Sequence, residues 1–172
     1  IGDRYTVIDR HDRNGLFGLG YLLEGMEKGS FGIDYGINAF YFAKTSVSGD
    51  IIQEHLFTNL AYDYDVSRVP VYAIAKAHIN NQNANYAITM DLGIGPNFIT
   101  TTHFEDRSLD SGTTLQDNAY SGHTNVAFSA VTGIGLKMNN AFGKNHLECG
   151  YRFFYLGQGD FKRRTDQLLT IL

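Results

Sequence analysis

Tryptophan is absent from this chain of 172 residues, cysteine occurs once and proline twice. No stretch is continuously apolar for the roughly 18–20 residues that a spanning helix needs, which excludes a helical membrane protein but not a β-barrel, where only alternate residues meet lipid. The single cysteine, Cys149, excludes an intrachain disulfide framework. It shares its phase with Leu147, Tyr151 and Phe153, so it reads as a small hydrophobe and not as a catalytic thiol. Basic charge is also scarce. The net charge is −4, which leaves no general attraction for nucleic acid. The one basic cluster, Lys162-Arg163-Arg164, lies beside Asp160 and Asp166 and reads as an exposed loop, with phosphate or lipopolysaccharide binding as its functional alternative. The opening Ile1-Gly2-Asp3-Arg4 has no apolar core of a secretory signal, so an exported protein would be represented here by a mature or trimmed form.

What the chain has instead is glycine, tyrosine and phenylalanine, at 19, 11 and 12 residues, and a period of two. From Phe31 to Ala43, Phe31, Ile33, Tyr35, Ile37, Ala39, Tyr41 and Ala43 hold one phase. The other holds Gly32, Asp34, Gly36, Asn38, Phe40, Phe42 and then Lys44. Such a pattern segregates onto two faces of a strand and cannot do so on a helix. Similar alternation marks 16–24, 53–66, 69–79, 86–95 (extended over 98–102), 124–138 and 146–157, with a shorter run at 5–8 and an apolar end at 168–172. The expectation is one domain over 1–172: an N-terminal segment 1–15, then seven strands and a fragmentary eighth. Turns at 45–52, 80–85 and 139–145 would lie at one end. Those at 25–30, 67–68, 158–164 and the long 101–123 would lie at the other.

The apolar phase is long and aromatic, while the opposite phase is small and polar, as if lining a narrow interior. That points to an all-β, antiparallel transmembrane barrel of about eight strands, whose interior is just wide enough for side chains to fill. Inward polar candidates are Asp34, Asn38, Lys76, Asp91, Lys137, Glu148 and Arg152, with Lys44 in the same phase. Buried charges of this kind must pair or meet internal water. A hairpin centred between Phe142 and Gly143 sets Lys137 opposite Glu148 and Arg152 opposite Gly133. The interior is then either a gate or polar conduit, or a salt-bridged core that plugs the barrel.

Three stretches carry a family likeness: Leu92-Gly93-Ile94-Gly95-Pro96-Asn97, Gly133-Ile134-Gly135-Leu136-Lys137 and Leu147-Glu148-Cys149-Gly150-Tyr151-Arg152-Phe153. Over about residues 16–157 the chain resembles bacterial outer-membrane β-barrel proteins of the opacity and surface-antigen type, relatives of the small outer-membrane-protein-A-like barrels. The resemblance implies an eight-stranded barrel in the bacterial outer membrane, with surface loops that serve adhesion or host contact. Such barrels usually end on an aromatic residue, whereas this chain ends on Ile171-Leu172.

Catalytic patterns are sparse. Six histidines (His11, His55, His78, His103, His123 and His146) show no i, i+4 pair and no cysteine partner, so no zinc site is expected. His103, Glu105, Asp106 and Arg107, with His123 beyond, are the candidate outer-loop contacts. His103, Glu105, Asp106 and Ser108, with His123, also make a set whose types suit general base chemistry, but polar residues collect in loops regardless. Gly93-x-Gly95 lacks the third glycine of a dinucleotide fingerprint, and 106–117 lacks calcium-loop spacing. No cofactor and no enzymatic activity are expected; the partners would be the lipid bilayer and a cell-surface or host ligand, not nucleic acid. The alternative is a soluble, lipocalin-like barrel with the apolar phase turned inward around a small apolar ligand.

Overall fold

The computed structural model describes residues 4–11, 15–53, 57–81, 85–109, 120–142, 145–159 and 162–163. They form strands β1 (Arg4–His11), β2 (Leu16–Lys28), β3 (Phe31–Gln53), β4 (Phe57–Asn80), β5 (Tyr86–Ser108), β6 (Tyr120–Ser121), β7 (His123–Phe142), β8 (Asn145–Tyr155) and β9 (Lys162–Arg163). The period-two sequence thus yields strand throughout, and every pairing is antiparallel.

The main sheet runs β3-β4-β5-β7-β8, with β1 and β2 both on the free side of β3. β2 pairs with residues 31–42 of β3 and β1 with residues 46–52. The two are therefore successive pieces of one edge, and the sheet is six strands wide. It curls into a half-barrel: side chains of β8 reach those of β3 across the concave face. The outer edges of β2 and β8 are unpaired among the described residues. β6 and β9 make a separate two-stranded ribbon.

Three expected turns are corrected. Residues 45–52 continue β3, residues 67–68 sit inside β4, and residues 101–108 continue β5. The links β2–β3, β4–β5 and β7–β8 consequently share one end, called lower here, while β3–β4 and the long β5–β7 connection share the upper end. The 25–30 turn belongs with 80–85 and 139–145, not opposite them. Two expected strands, 53–66 and 69–79, are one strand, so the described sheet has fewer strands than the expected eight. The apolar end at 168–172 lies outside the described residues.

The physical reason for the first misreading is a bulge. Phe42 pairs with Arg68 but Thr45 with Val66, so β3 holds an extra residue at 43–44. β5 holds another: Asp65 pairs with Thr102 and Asp63 with Glu105, and His103 carries φ 54. An extra residue turns every later side chain over to the opposite face. Below its bulge β3 buries even-numbered positions such as Asn38 and Phe40; above it Thr45, Val47, Gly49 and Ile51 are buried instead. Lys44, expected inward, lies on the bulge and is exposed.

Candidate functional site

Five concave-face positions fall on one lateral row through the register: Asp34 on β3, Lys76 on β4, Asp91 on β5, Gly133 on β7 and Arg152 on β8. Neighbouring charges along it alternate in sign, the arrangement that favours cross-strand pairing. Arg152 donates through Nε (3.1 Å) and a terminal nitrogen (2.9 Å) to Oδ2 of Asp91, reaching over Gly133. A Cβ on Gly133 would stand 2.6 Å from Asp91 Oδ1 and 2.9 Å from Arg152 Cγ. Only glycine leaves the guanidinium this path.

Below that row, Glu148 accepts from Lys76 Nζ at 2.6 Å and from Thr89 Oγ1 at 3.0 Å. Lys137 does face Glu148 in the register, and Arg152 faces Gly133, as the hairpin symmetry predicts. The Glu148 carboxylate nevertheless turns to Lys76, because the curl brings the distant β4 wall within reach. His78, buried, places Nδ1 3.4 Å from Asp34 Oδ2 and Nε2 3.8 Å from Glu27 Oε1. Asn38 is buried on β3. Of the expected interior set, Asp34, Lys76, Asp91, Glu148 and Arg152 are thus brought together with His78, Thr89 and Glu27. For His78 and Thr89 the one sequence signal is their phase, and Glu27 falls in the stretch 25–30 expected as a turn.

Above the charged row lies an aromatic one. Phe40, Phe42, Tyr72 and Phe154 meet with ring centroids 5.2–6.3 Å apart, and Val131 completes the cluster. Arg152 ties the two tiers, its guanidinium 5.6 Å from the Phe40 ring centre. Level with Phe40 and Tyr72 in the register, Asn97 donates to the Leu156 carbonyl (2.7 Å) and Ser129 to that of Gly95 (2.8 Å).

The convex face is the reverse. Ile37 is 62% exposed, Leu92 59%, Phe128 63% and Tyr151 79%, while Tyr72, Asn97 and Ser129 on the concave face are fully buried. The apolar outward residues run from Phe17 to Met26, Phe31 to Tyr41, Val69 to Ile79, Tyr86 to Phe98, Val126 to Met138 and Leu147 to Tyr155. Cys149 is exposed on the same face. Above the bulges the polarity inverts. There Ile51, Leu60 and Tyr62 form a buried cluster with Tyr64 and Phe104, and the outer side carries Ser46, Ser48, Asp50, Asp63, Asp65 and Glu105.

Two bulges build a collar at this changeover. Lys44 Nζ (2.8 Å) and Ser46 Oγ (2.7 Å) donate to Asp65, and His103 Nδ1 lies 3.5 Å from its Oδ2. The Lys44 and Ser46 hydrogen bonds hold the Asp65 carboxyl below its ordinary range. Nearby, burial, with the neighbouring Tyr64 and Asp50, raises the Tyr62 phenol above its own. The five expected loop contacts are on strands, not on a loop. His103, Glu105 and Arg107 are exposed on the wall, Asp106 is buried on the inner face, and His123 opens β7 opposite Thr101. His103 and Ser46 both address Asp65, which puts the carboxylate between them; a nucleophile relay needs the imidazole in that place.

Among the described residues, no group of three or more His, Cys, Asp or Glu side chains could hold a metal ion, and no helix is long and apolar enough to cross a membrane. No family model, curated protein or solved structure matches the chain.

Proposed function

We propose that the chain is the wall of a bacterial outer-membrane β-barrel, a non-enzymatic structural or surface-interaction protein whose partner contacts lie at the upper end. The observation that carries this reading is the placement of polarity: charge inside and apolar side chains outside over one band, then the reverse above it. A bilayer rewards the first arrangement and water the second. Band height agrees. Tyr86 to Phe98 spans about 40 Å at about 3.4 Å per residue, or roughly 30 Å once tilted by about 40°, close to a hydrocarbon core. The short lower turns and the long β5–β7 connection above match the usual asymmetry of such barrels.

An open sheet edge is not tolerated in lipid, so this reading requires closure between β8 and β2. β8 runs upward and β2 downward, so the two free edges already have the antiparallel sense that closure requires. A soluble barrel around an apolar ligand would need the exposed band turned inward. The test is fractionation of the expressed protein, followed by electrophoresis with and without boiling. Recovery in outer membrane with a heat-dependent mobility shift is the expected result; a soluble protein without a shift overturns it.

A further inference from the structure

We infer that the interior is sealed by its aromatic tier, and not by the salt bridges below it. This rests on the membrane-barrel reading above. The charged row is hydrophilic, and Glu27 at the lower end is exposed, with the buried His78 leading inward from it to Asp34. Water and ions can follow such groups, and breaking one pair would leave the passage just as polar. The next tier differs in kind. Phe40 and Phe42 come from β3, Tyr72 from β4, Val131 from β7 and Phe154 from β8, so the cluster crosses the interior from wall to wall. Phe154 touches all three other rings, edge-on to Phe40 and Phe42 at 5.2 Å and tilted to Tyr72 at 6.3 Å. Phe40 is 7% exposed, Tyr72 0% and Val131 3%. The Phe40 ring also lies so close over Gly18 that a Cβ there would collide with it, which extends the layer to the β2 edge. An apolar constriction excludes ions by dewetting; the polar groups level with this one, Asn38, Asn97, Ser129 and the Tyr72 hydroxyl, are themselves buried behind the rings.

The experiment is ion flux through lipid vesicles carrying the full chain, with the heat-dependent mobility shift recorded on the same vesicles. Three proteins are compared: the unaltered chain, the charge-tier double variant D91N/R152Q, and the aromatic double variant F40A/F154A. Expected are no flux from the first two and a rise of at least tenfold from the third, with a smaller rise from F154A alone should the double variant fail to insert. Flux from the unaltered chain or from D91N/R152Q overturns the inference. So does an aromatic variant that shifts on heating yet stays sealed. If the unaltered chain shows no mobility shift, the membrane reading fails first and the seal with it.

Discussion

Gly133 illustrates how one missing side chain sets the chemistry of its neighbours. Its α-carbon lies under the Arg152 guanidinium on the way to Asp91, so Gly133→Val forces a side chain into that contact. Overpacking of this kind costs about 1–3 kcal/mol, readable as a lowered urea midpoint. Glu148 makes a different demand. Glu148→Gln leaves the buried Lys76 ammonium without its counter-charge. With the Glu148 carboxylate about a third exposed, the loss falls between the roughly 1 kcal/mol of an exposed pair and the roughly 3 kcal/mol of a buried one. The double variant K76M/E148Q removes both charges and is expected to recover most of that loss, a coupling that a double-mutant cycle reads directly. The sequence made the Arg152–Gly133 opposition legible because a hairpin's register follows from its turn. It hid the Lys76–Glu148 pair, which joins strands three places apart in the sheet and depends on how tightly the sheet curls.

At the scale of elements, the long strands β3, β4 and β5 each pass through two environments. Bulges turn the faces of β3 and β5 over, while β4 keeps its even-numbered positions on the inner face from Leu60 to His78 and changes the residue types on its two faces instead. The alternation at 45–52 is present in the sequence as Thr45, Val47, Gly49 and Ile51, but one residue out of step with Phe31–Ala43. Polar Ser46, Ser48 and Asp50 between them imitate a loop. Ser67-Arg68 misleads for a simpler reason: two polar residues in mid-strand resemble a tight link. The collar at Asp65 carries a pH signature. Its folded pKa is depressed, so its stabilisation is present above the unfolded value near about 4 and is lost as pH falls through the folded value. Asp65→Asn should therefore lower the urea midpoint of the upper sheet at pH 7 and make it less sensitive to acid over that window, followed by tyrosine fluorescence since tryptophan is absent. Tyr62 has the opposite sign. Its raised pKa contributes stability below about pH 10 that is lost as pH rises through the folded value. An absorbance titration at high pH should show a late-ionising phenol that Tyr62→Phe removes.

For the whole molecule, the distribution of polarity matters more than any single contact. Ile94→Arg puts a charge at mid-height of the apolar outer band and is expected to destabilise the protein in lipid vesicles by about 2–4 kcal/mol. Ser48→Arg, on the outer side above the bulges, sets a cation on the row of Asp63 and Glu105 and should be neutral or mildly stabilising. Equal losses at both positions in reversible urea unfolding would contradict a boundary between two solvents. Period two made the strands and the two faces legible, but not that one strand exchanges its faces part-way. The same exchange makes the chain unequally tolerant of lost codons. Deleting Ala43 or Lys44 alone would send Ser46, Ser48 and Asp50 inward and Val47 and Ile51 out to water, scrambling the upper half of β3 through a change that removes no core residue. An insertion or deletion of two residues there would restore the alternation, so length variants of this segment should be viable in even steps and defective in odd ones.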